Sequence, residues 1–386
     1  MFNITKTKNK GFRIFEIQFY FMKKSSSIIL ILFSFFFLAC ATNKENNTSI
    51  ANTTETKKVK NVILLIGDGM GLSQVSASQF YNENPTNFER FSTIGLIKTS
   101  SSSDLITDSA AGATAFASGI KTYNGAVGVT PDTLSVETIV EQISPKGIST
   151  GIISTSSITH ATPACFYAHI KSRRMEDDIA TYLLNSEVDF FAGGGSKFFN
   201  EREDGKDLTI QLAEKGFEVS TGNLPKNVSE KKQAILLSKK GMPTMIEGRG
   251  NFLPDATKLA LEYLSKNENG FFLMVEGSQI DWAGHDNDGD YLIAELLDFD
   301  KTMGVVLDFA KQNGETLVIV TADHETGGFT LAADDGDYNK IKPVFSNKGH
   351  SATMVPVFAE GPGSENFGGV YENTSIYDKI KAFFIQ

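Results

Sequence analysis

The stretch Val62-Ile63-Leu64-Leu65-Ile66-Gly67-Asp68-Gly69-Met70-Gly71 decides the fold. Five branched apolar residues without polar alternation predict a strand buried on both faces, and the glycines after them predict a tight turn. Asp68 would stand in that turn, just past the strand's carboxyl end. Outward from it the same pattern recurs at 148–153, 188–192, 271–275, 317–320 and 355–359. Helical patterns lie between, at 109–118, 136–143, 175–184, 256–265, 291–310 and 376–384. Strands alternating with helices predict an α/β fold, a mostly parallel central sheet covered by helices on both faces. The chemistry-bearing phrases follow strands: Asp68 the first, 154–162 the second, 276–285 the fourth and Asp323-His324 the fifth. Ligands of open α/β sheets bind beyond the carboxyl ends of strands, so these phrases can converge.

Of the five histidines, four stand among other metal-binding side chains: Thr159-His160-Ala161-Thr162, Asp281-Trp282-Ala283-Gly284-His285, Asp323-His324-Glu325, and Gly349-His350-Ser351. Imidazole with carboxylate suits zinc, whereas carboxylate, hydroxyl and water suit magnesium. Asp281 and His285, four apart, share one face if their segment is helical. Asp323 and His324 can both reach one ion only where the backbone turns sharply. His169 carries no comparable neighbours and reads as structural, and Cys165 reads as a small buried residue.

A net charge of -10 without basic clusters argues against a nucleic-acid partner, because Lys and Arg supply most of that affinity. Bound metal ions would give an acidic chain the local positive charge that an anionic substrate needs. The N-terminus reads as a targeting segment: Met22-Lys23-Lys24, an apolar run over 28–38 too short to span a bilayer, then Ala39-Cys40. Phe37-Leu38-Ala39-Cys40 resembles a bacterial lipobox, which would make Cys40 the lipid-bearing first residue of a periplasmic lipoprotein, with an ordinary cleaved signal peptide as the alternative. Residues 1–40 are thus expected to be a signal segment, 41–58 a polar tether and 59–386 the catalytic domain, with a peripheral insertion at about 199–249.

Thr107-Asp108-Ser109-Ala110-Ala111-Gly112 reads as a capped helix start, with Asp108 at the cap and Ser109 in the first turn. Backbone N–H groups and the helix dipole favour an anion there. With these phrases in this order, the chain from about 59 to 384 resembles the metal-dependent alkaline phosphatase family. The resemblance implies a phosphate monoesterase with Ser109 as nucleophile and Arg173 as the phosphate clamp. It implies two zinc ions, one on Asp281, His285 and His350, the other on Asp68, Asp323 and His324. A magnesium ion would be held by Asp68, Thr162 and Glu276, with His160 beside it. Ser109 would attack phosphorus to give a phosphoserine, which water then hydrolyses.

Two positions depart from some relatives: His160, elsewhere an aspartate, and Trp282, elsewhere a lysine or histidine. An imidazole beside the third site admits zinc or cobalt in place of magnesium. Trp282 brings no cation to the phosphate and reads equally as a packing aromatic or a substrate-stacking one. About 25 residues separate His324 from His350, so no large crown insertion is expected and the pocket should accept varied alcohols. The resemblance leaves a homodimer open. A phosphodiesterase or sulfatase of the same superfamily remains an alternative, although Thr162 and Glu276 around a third ion speak against it. A non-catalytic phosphate-binding lipoprotein remains another, although it has no use for a serine between metals.

Overall fold

The computed structural model describes residues 58–385. The targeting segment, Cys40 and nearly all of the expected tether lie outside the described residues. Among the described residues, no helix is long and apolar enough to cross a membrane.

A ten-stranded sheet forms the centre. In chain order its strands are β1 (Asn61–Gly67), β2 (Thr93–Lys98), β3 (Ser149–Ser157), β4 (Phe190–Gly194), β5 (Phe217–Thr221), β6 (Lys232–Leu236), β7 (Phe271–Gly277) and β8 (Thr316–Thr321). Two short ladders follow, built from β9 (Glu325–Thr326), β10 (Thr330–Asp334), β11 (Asp337–Val344) and β12 (His350–Ser351). The last two sheet strands are β13 (Val355–Glu360) and β14 (Gly369–Glu372). The spatial order is β14-β2-β13-β8-β1-β7-β3-β4-β6-β5, and β13 alone runs antiparallel to its neighbours. All six strands expected from the sequence are present, and all are central or next to the centre.

The middle strands are buried at every position, as their unbroken apolar runs require. Truncating one of these side chains, Leu64 for instance, to alanine would cost roughly 2–5 kcal/mol. The helix Gly289–Asn313 covers β8 and β1, beginning at the Asp288 cap and ending at Gly314, whose φ of 73° closes it. The fully buried helix Ser109–Ser118 packs against the short helix Ala161–Ala164 and the C-terminal helix Ser375–Phe384. The helix expected from residue 136 begins at Ile139, because Thr138 and Glu141 form a capping box there.

The segment 199–249 is more integrated than a peripheral insertion. It supplies β5 and β6, which extend the main sheet at its edge, and the helix Leu208–Glu214. Strand β6 escaped the sequence reading because its short apolar run is preceded by Lys231-Lys232-Gln233, and the buried Gln233 side chain is satisfied by donating to Lys231 O. From this segment Arg249 is buried against Glu295 and Asp298 of the long helix, which pins its far end beside the sheet.

Candidate active site

Four adjacent strands, β8, β1, β7 and β3, end on one side of the sheet, and each hands its next residues to a single pocket. Asp68 follows β1, Glu276 is the penultimate residue of β7, Asp323 and His324 follow β8, and His160 with Thr162 follow β3. Asp281 and His285 lie one turn apart on the helix Gln279–Asp286. His350 arrives by pairing: in the β9–β12 ladder it stands opposite Thr326. The sharp turn expected at Asp323-His324 is present, and the Asp323 carboxylate accepts from the N–H groups of Gly69 and His324.

Three clusters of donor atoms result. His285 Nε2 lies 3.1 Å from His350 Nε2, and each is 3.4 Å from Asp281 Oδ1. His324 Nε2 lies 3.4 Å from Asp68 Oδ1, 3.3 Å from Asp323 Oδ2 and 3.2 Å from Ser109 Oγ. Asp68, His160 and Glu276 form the third, with ligand atoms all within 4.8 Å of one another. His324 also comes within 4.8 Å of Asp281 and His350, so the first two clusters are contiguous. The sequence reading set His160 beside the third site; its ring nitrogen lies among the ligand atoms themselves.

Five buried atoms around these clusters have no hydrogen-bond partner: Asp68 Oδ2, His160 Nδ1, Thr162 Oγ1, Glu276 Oε1 and Asp323 Oδ2. Buried polar atoms are nearly always paired, so the four oxygens among them, of the type that divalent ions accept, mark a pocket suited to cations. Electrostatics agree. Burial, reinforced by Asp323, Asp281 and Glu276, raises Asp68 well above the carboxylate range. Burial pushes Glu276 up to about 7, and burial with Asp281 pushes Asp323 up to about 6. Burial also works against ionised Asp281, but His350, His324 and His285 outweigh it and hold that carboxyl low. Burial and the Arg173 guanidinium push His160 down to about 3, which leaves it a neutral donor. Bound cations relieve the repulsion among these carboxylates.

Ser109 is the first residue of its helix and only 1% exposed, with Oγ 3.5 Å from Asp68 Oδ1. The neighbouring Asp108 caps the helix by accepting from Ala111 N, and its other oxygen accepts from Arg173 at 3.0 Å. Arg173 also reaches His160 Nε2 at 3.1 Å, so one guanidinium spans the start of the Ser109 helix and the third cluster. Trp282 sets its ring edge-on to His160, centroids 5.8 Å apart, and leans on Gly241, where a Cβ would fall 2.6 Å from the indole. This packing accounts for its position. His169 belongs to none of the clusters and is bonded to Gly128 O and Glu141, and Cys165 is a buried free thiol.

Several contributors escaped the sequence reading. Ser154 donates to Glu276 Oε2 at 2.5 Å and contacts Ser156 and Ser278, so a hydroxyl cluster turns the other Glu276 oxygen toward the pocket. The run Ser154-Thr155-Ser156-Ser157 at the end of a buried strand was the available signal. Thr326, two residues after His324, bonds both Asp281 and His324.

Comparison with known proteins bears on this geometry directly. The family model described as alkaline phosphatase matches residues 59–347. Alkaline phosphatase 4 of Bacillus subtilis (strain 168) is 35% identical over 344 residues, 84% of this chain and 74% of its own. The structure of alkaline phosphatase from the Antarctic bacterium TAB5 superposes with a TM-score of 0.84 at 53% identity, covering 86% of this chain and all of the other. A histidine-to-aspartate mutant of that enzyme, with Mg bound in its M3 site, matches at 52% identity and a TM-score of 0.83, over 85% of this chain and 98% of the other. A sheet whose central strands deliver three donor clusters around a buried serine, matched over nearly all the described residues, places the chain in the alkaline phosphatase family, the phosphate monoester hydrolases.

Proposed function

We propose that the chain hydrolyses phosphate monoesters through a covalent phosphoserine on Ser109. The observation that carries this reading is the Ser109 hydroxyl, buried at a helix N-terminus against Asp68 and His324 of the second cluster of metal-donor atoms, which is contiguous with the first. Asp281, His285 and His350 would hold one zinc, and Asp68, Asp323 and His324 a second. Asp68, Thr162 and Glu276 would hold magnesium, with His160 close enough to join the shell and favour cobalt or zinc instead. The Antarctic relative's mutant with Mg in its M3 site supports a third ion here. When bound, such ions lower the pKa of a coordinated hydroxyl and offset charge on the transferring phosphoryl group.

The residues of the chain then act in order. Asp108 holds the Arg173 guanidinium at the mouth of the nucleophile's helix, where its fork grips two phosphate oxygens. Ser109 loses its proton and its Oγ forms a bond to phosphorus in line, as the bond from phosphorus to the alcohol oxygen breaks. The departing alcohol takes up a proton. Water then attacks phosphorus from the vacated side, the Ser109 Oγ–phosphorus bond breaks, and inorganic phosphate is released. The burial of Ser109 confines both attacks to the pocket.

Specificity is proposed to be broad, because the stretch between His324 and His350 holds only the two-residue strand β9 and the β10–β11 hairpin with their turns. Residues 1–40 are read as an export signal ending in a lipidated Cys40, 41–58 as a tether and 59–386 as the catalytic domain, for a periplasmic, membrane-anchored enzyme that also leaves a homodimer open. Replacing Cys40 with serine should release the enzyme from membranes; retention would refute the anchor. Ser109→Ala should abolish phosphate release from a nitrophenyl monoester with metal content unchanged, and prolonged chelation should abolish it in the wild type. Normal turnover in the first refutes the nucleophile, and in the second the metals. Faster cleavage of a nitrophenyl diester than of the monoester would favour the phosphodiesterase reading.

A further inference from the structure

The three histidines of the first two clusters all turn Nε2 inward, but they are anchored differently. His285 Nδ1 lies 2.6 Å from Lys348 O, and His350 Nδ1 lies 2.9 Å from Thr107 O. A carbonyl only accepts, so each of these rings carries a proton on Nδ1, and in the neutral ring the lone pair is then on Nε2. His324 has no carbonyl anchor. Its Nδ1 lies 3.2 Å from Thr326 Oγ1, and that oxygen lies 2.5 Å from Asp281 Oδ1. An ionised carboxylate also only accepts, so the Thr326 hydroxyl proton points to Asp281. The hydroxyl oxygen is then left to accept, and the only proton His324 can offer it is on Nδ1.

The surroundings fix Thr326 in this role. It is fully buried, its N–H donates to Gly69 O, and it stands opposite His350 in the β9–β12 ladder. A Cβ on Gly69 would fall 2.8 Å from its Oγ1, and one on Gly284 would fall 2.9 Å from its Cγ2. Glycine at both positions leaves the side chain its place.

We propose that Thr326 is a positioning residue whose hydroxyl sets the Nδ1–H form of His324 and ties that ring to Asp281, so that the two zinc clusters are oriented by one hydrogen-bond chain. The consequence for metal affinity rests on the zinc reading above, whereas the direction of the hydrogen bonds does not. Partners that orient a ligand in this way are typically worth about 10–100-fold in metal affinity.

Two substitutions separate the hydroxyl from the methyl. Thr326→Val keeps the shape and removes the hydroxyl; Thr326→Ser keeps the hydroxyl and removes the methyl beside Gly284. The chelator-stripped full-length proteins are titrated with zinc chloride, read through emission of Trp282, the only tryptophan of the chain. Thr326→Val should lose about 10–100-fold in affinity for both zinc ions, and Thr326→Ser should stay within about threefold of the wild type. The opposite order, Val near wild type and Ser weakened, overturns the proposal in favour of methyl packing. Long-range proton–nitrogen NMR of the metal-free wild type reads the His324 ring without any variant: a proton on Nδ1 upholds the hydrogen-bond chain, and one on Nε2 overturns it. A wild type that binds no zinc would overturn the metal reading while the NMR result still decides the role of Thr326.

Discussion

Arg249→Met is expected to be among the most damaging substitutions outside the pocket. Arg249 donates to both oxygens of Glu295, to Asp298 Oδ2 at 2.9 Å and to Pro243 O. The three side chains are 0%, 2% and 1% exposed, so water replaces none of these contacts. Burial already raises both carboxyls despite the guanidinium. Without it two adjacent buried carboxylates face each other, a lesion worth about 3–5 kcal/mol. At about 2.1 cal/mol/K per residue, a domain of this size unfolds with ~0.7 kcal/mol/K, so Tm should fall by ~4–7 °C. The loss depends on pH with a definite sign. A carboxyl whose folded pKa is raised costs stability as pH climbs above its unfolded value, near 4, and removing Arg249 raises both further. The Tm gap should therefore widen from pH 5 to pH 8. The assay is thermal unfolding of wild type and variant at matched zinc and magnesium. Adding Glu295→Gln and Asp298→Asn to the variant removes both charges and should recover more than half the loss. A gap under about 1 °C at pH 8 would refute the reasoning, because an uncompensated buried pair cannot be that cheap.

Ser154→Ala removes the shortest hydrogen bond to Glu276, so magnesium activation should weaken by about 10–100-fold with zinc content unchanged; an unaltered magnesium dependence argues against the hydroxyl cluster. Gly241→Ala forces a methyl into the Trp282 indole, and tryptophan emission reports it: the spectrum should shift, and an identical one means the ring has room to spare. Both ring nitrogens of His169 face acceptors, Gly128 O and Glu141 Oε1, so only the imidazolium satisfies both. Burial opposes that charge, but Glu141 and Gly128 outweigh it and raise the His169 pKa; burial of Glu141 is likewise outweighed by His169 and Thr138, which hold it low. The pair's stabilisation, about 1 kcal/mol, is complete between the unfolded carboxyl and imidazole values, and fades as pH rises through the folded His169 pKa. The Tm difference between wild type and Glu141→Gln should accordingly be larger at pH 6 than at pH 9, and a constant difference would contradict the ion pair.

The sequence was most legible where one local rule governs. Strand β1 and its central neighbours read clearly because burial on both faces demands an unbroken apolar run. The helix beginning at Ser109 read clearly because its cap and its small residues agree. Strands β2, β5 and β14 did not, because they lie toward the sheet edges and carry polar or exposed residues that break the run. Helix Leu72–Tyr81 was missed for a related reason: Gly71 at its N-cap makes no side-chain bond, and polar residues such as Gln74 and Ser78 occupy its buried face. Gln74 is there because Glu325 accepts from it.

By itself the sequence determined which metal-donor side chains the chain offers and that they stand after strands, because ligand types and strand patterns are local properties. The tertiary structure alone decided how they meet. The order β8-β1-β7-β3 makes four strand ends neighbours, and a two-residue ladder sets His350 against Thr326. The same packing drew His160 in among the ligand atoms and left five polar atoms around the clusters buried without partners. It also gave Thr326 and Ser154 their roles, which no spacing announces, because a hydroxyl's partners lie across the fold and its direction is fixed by what those partners can accept.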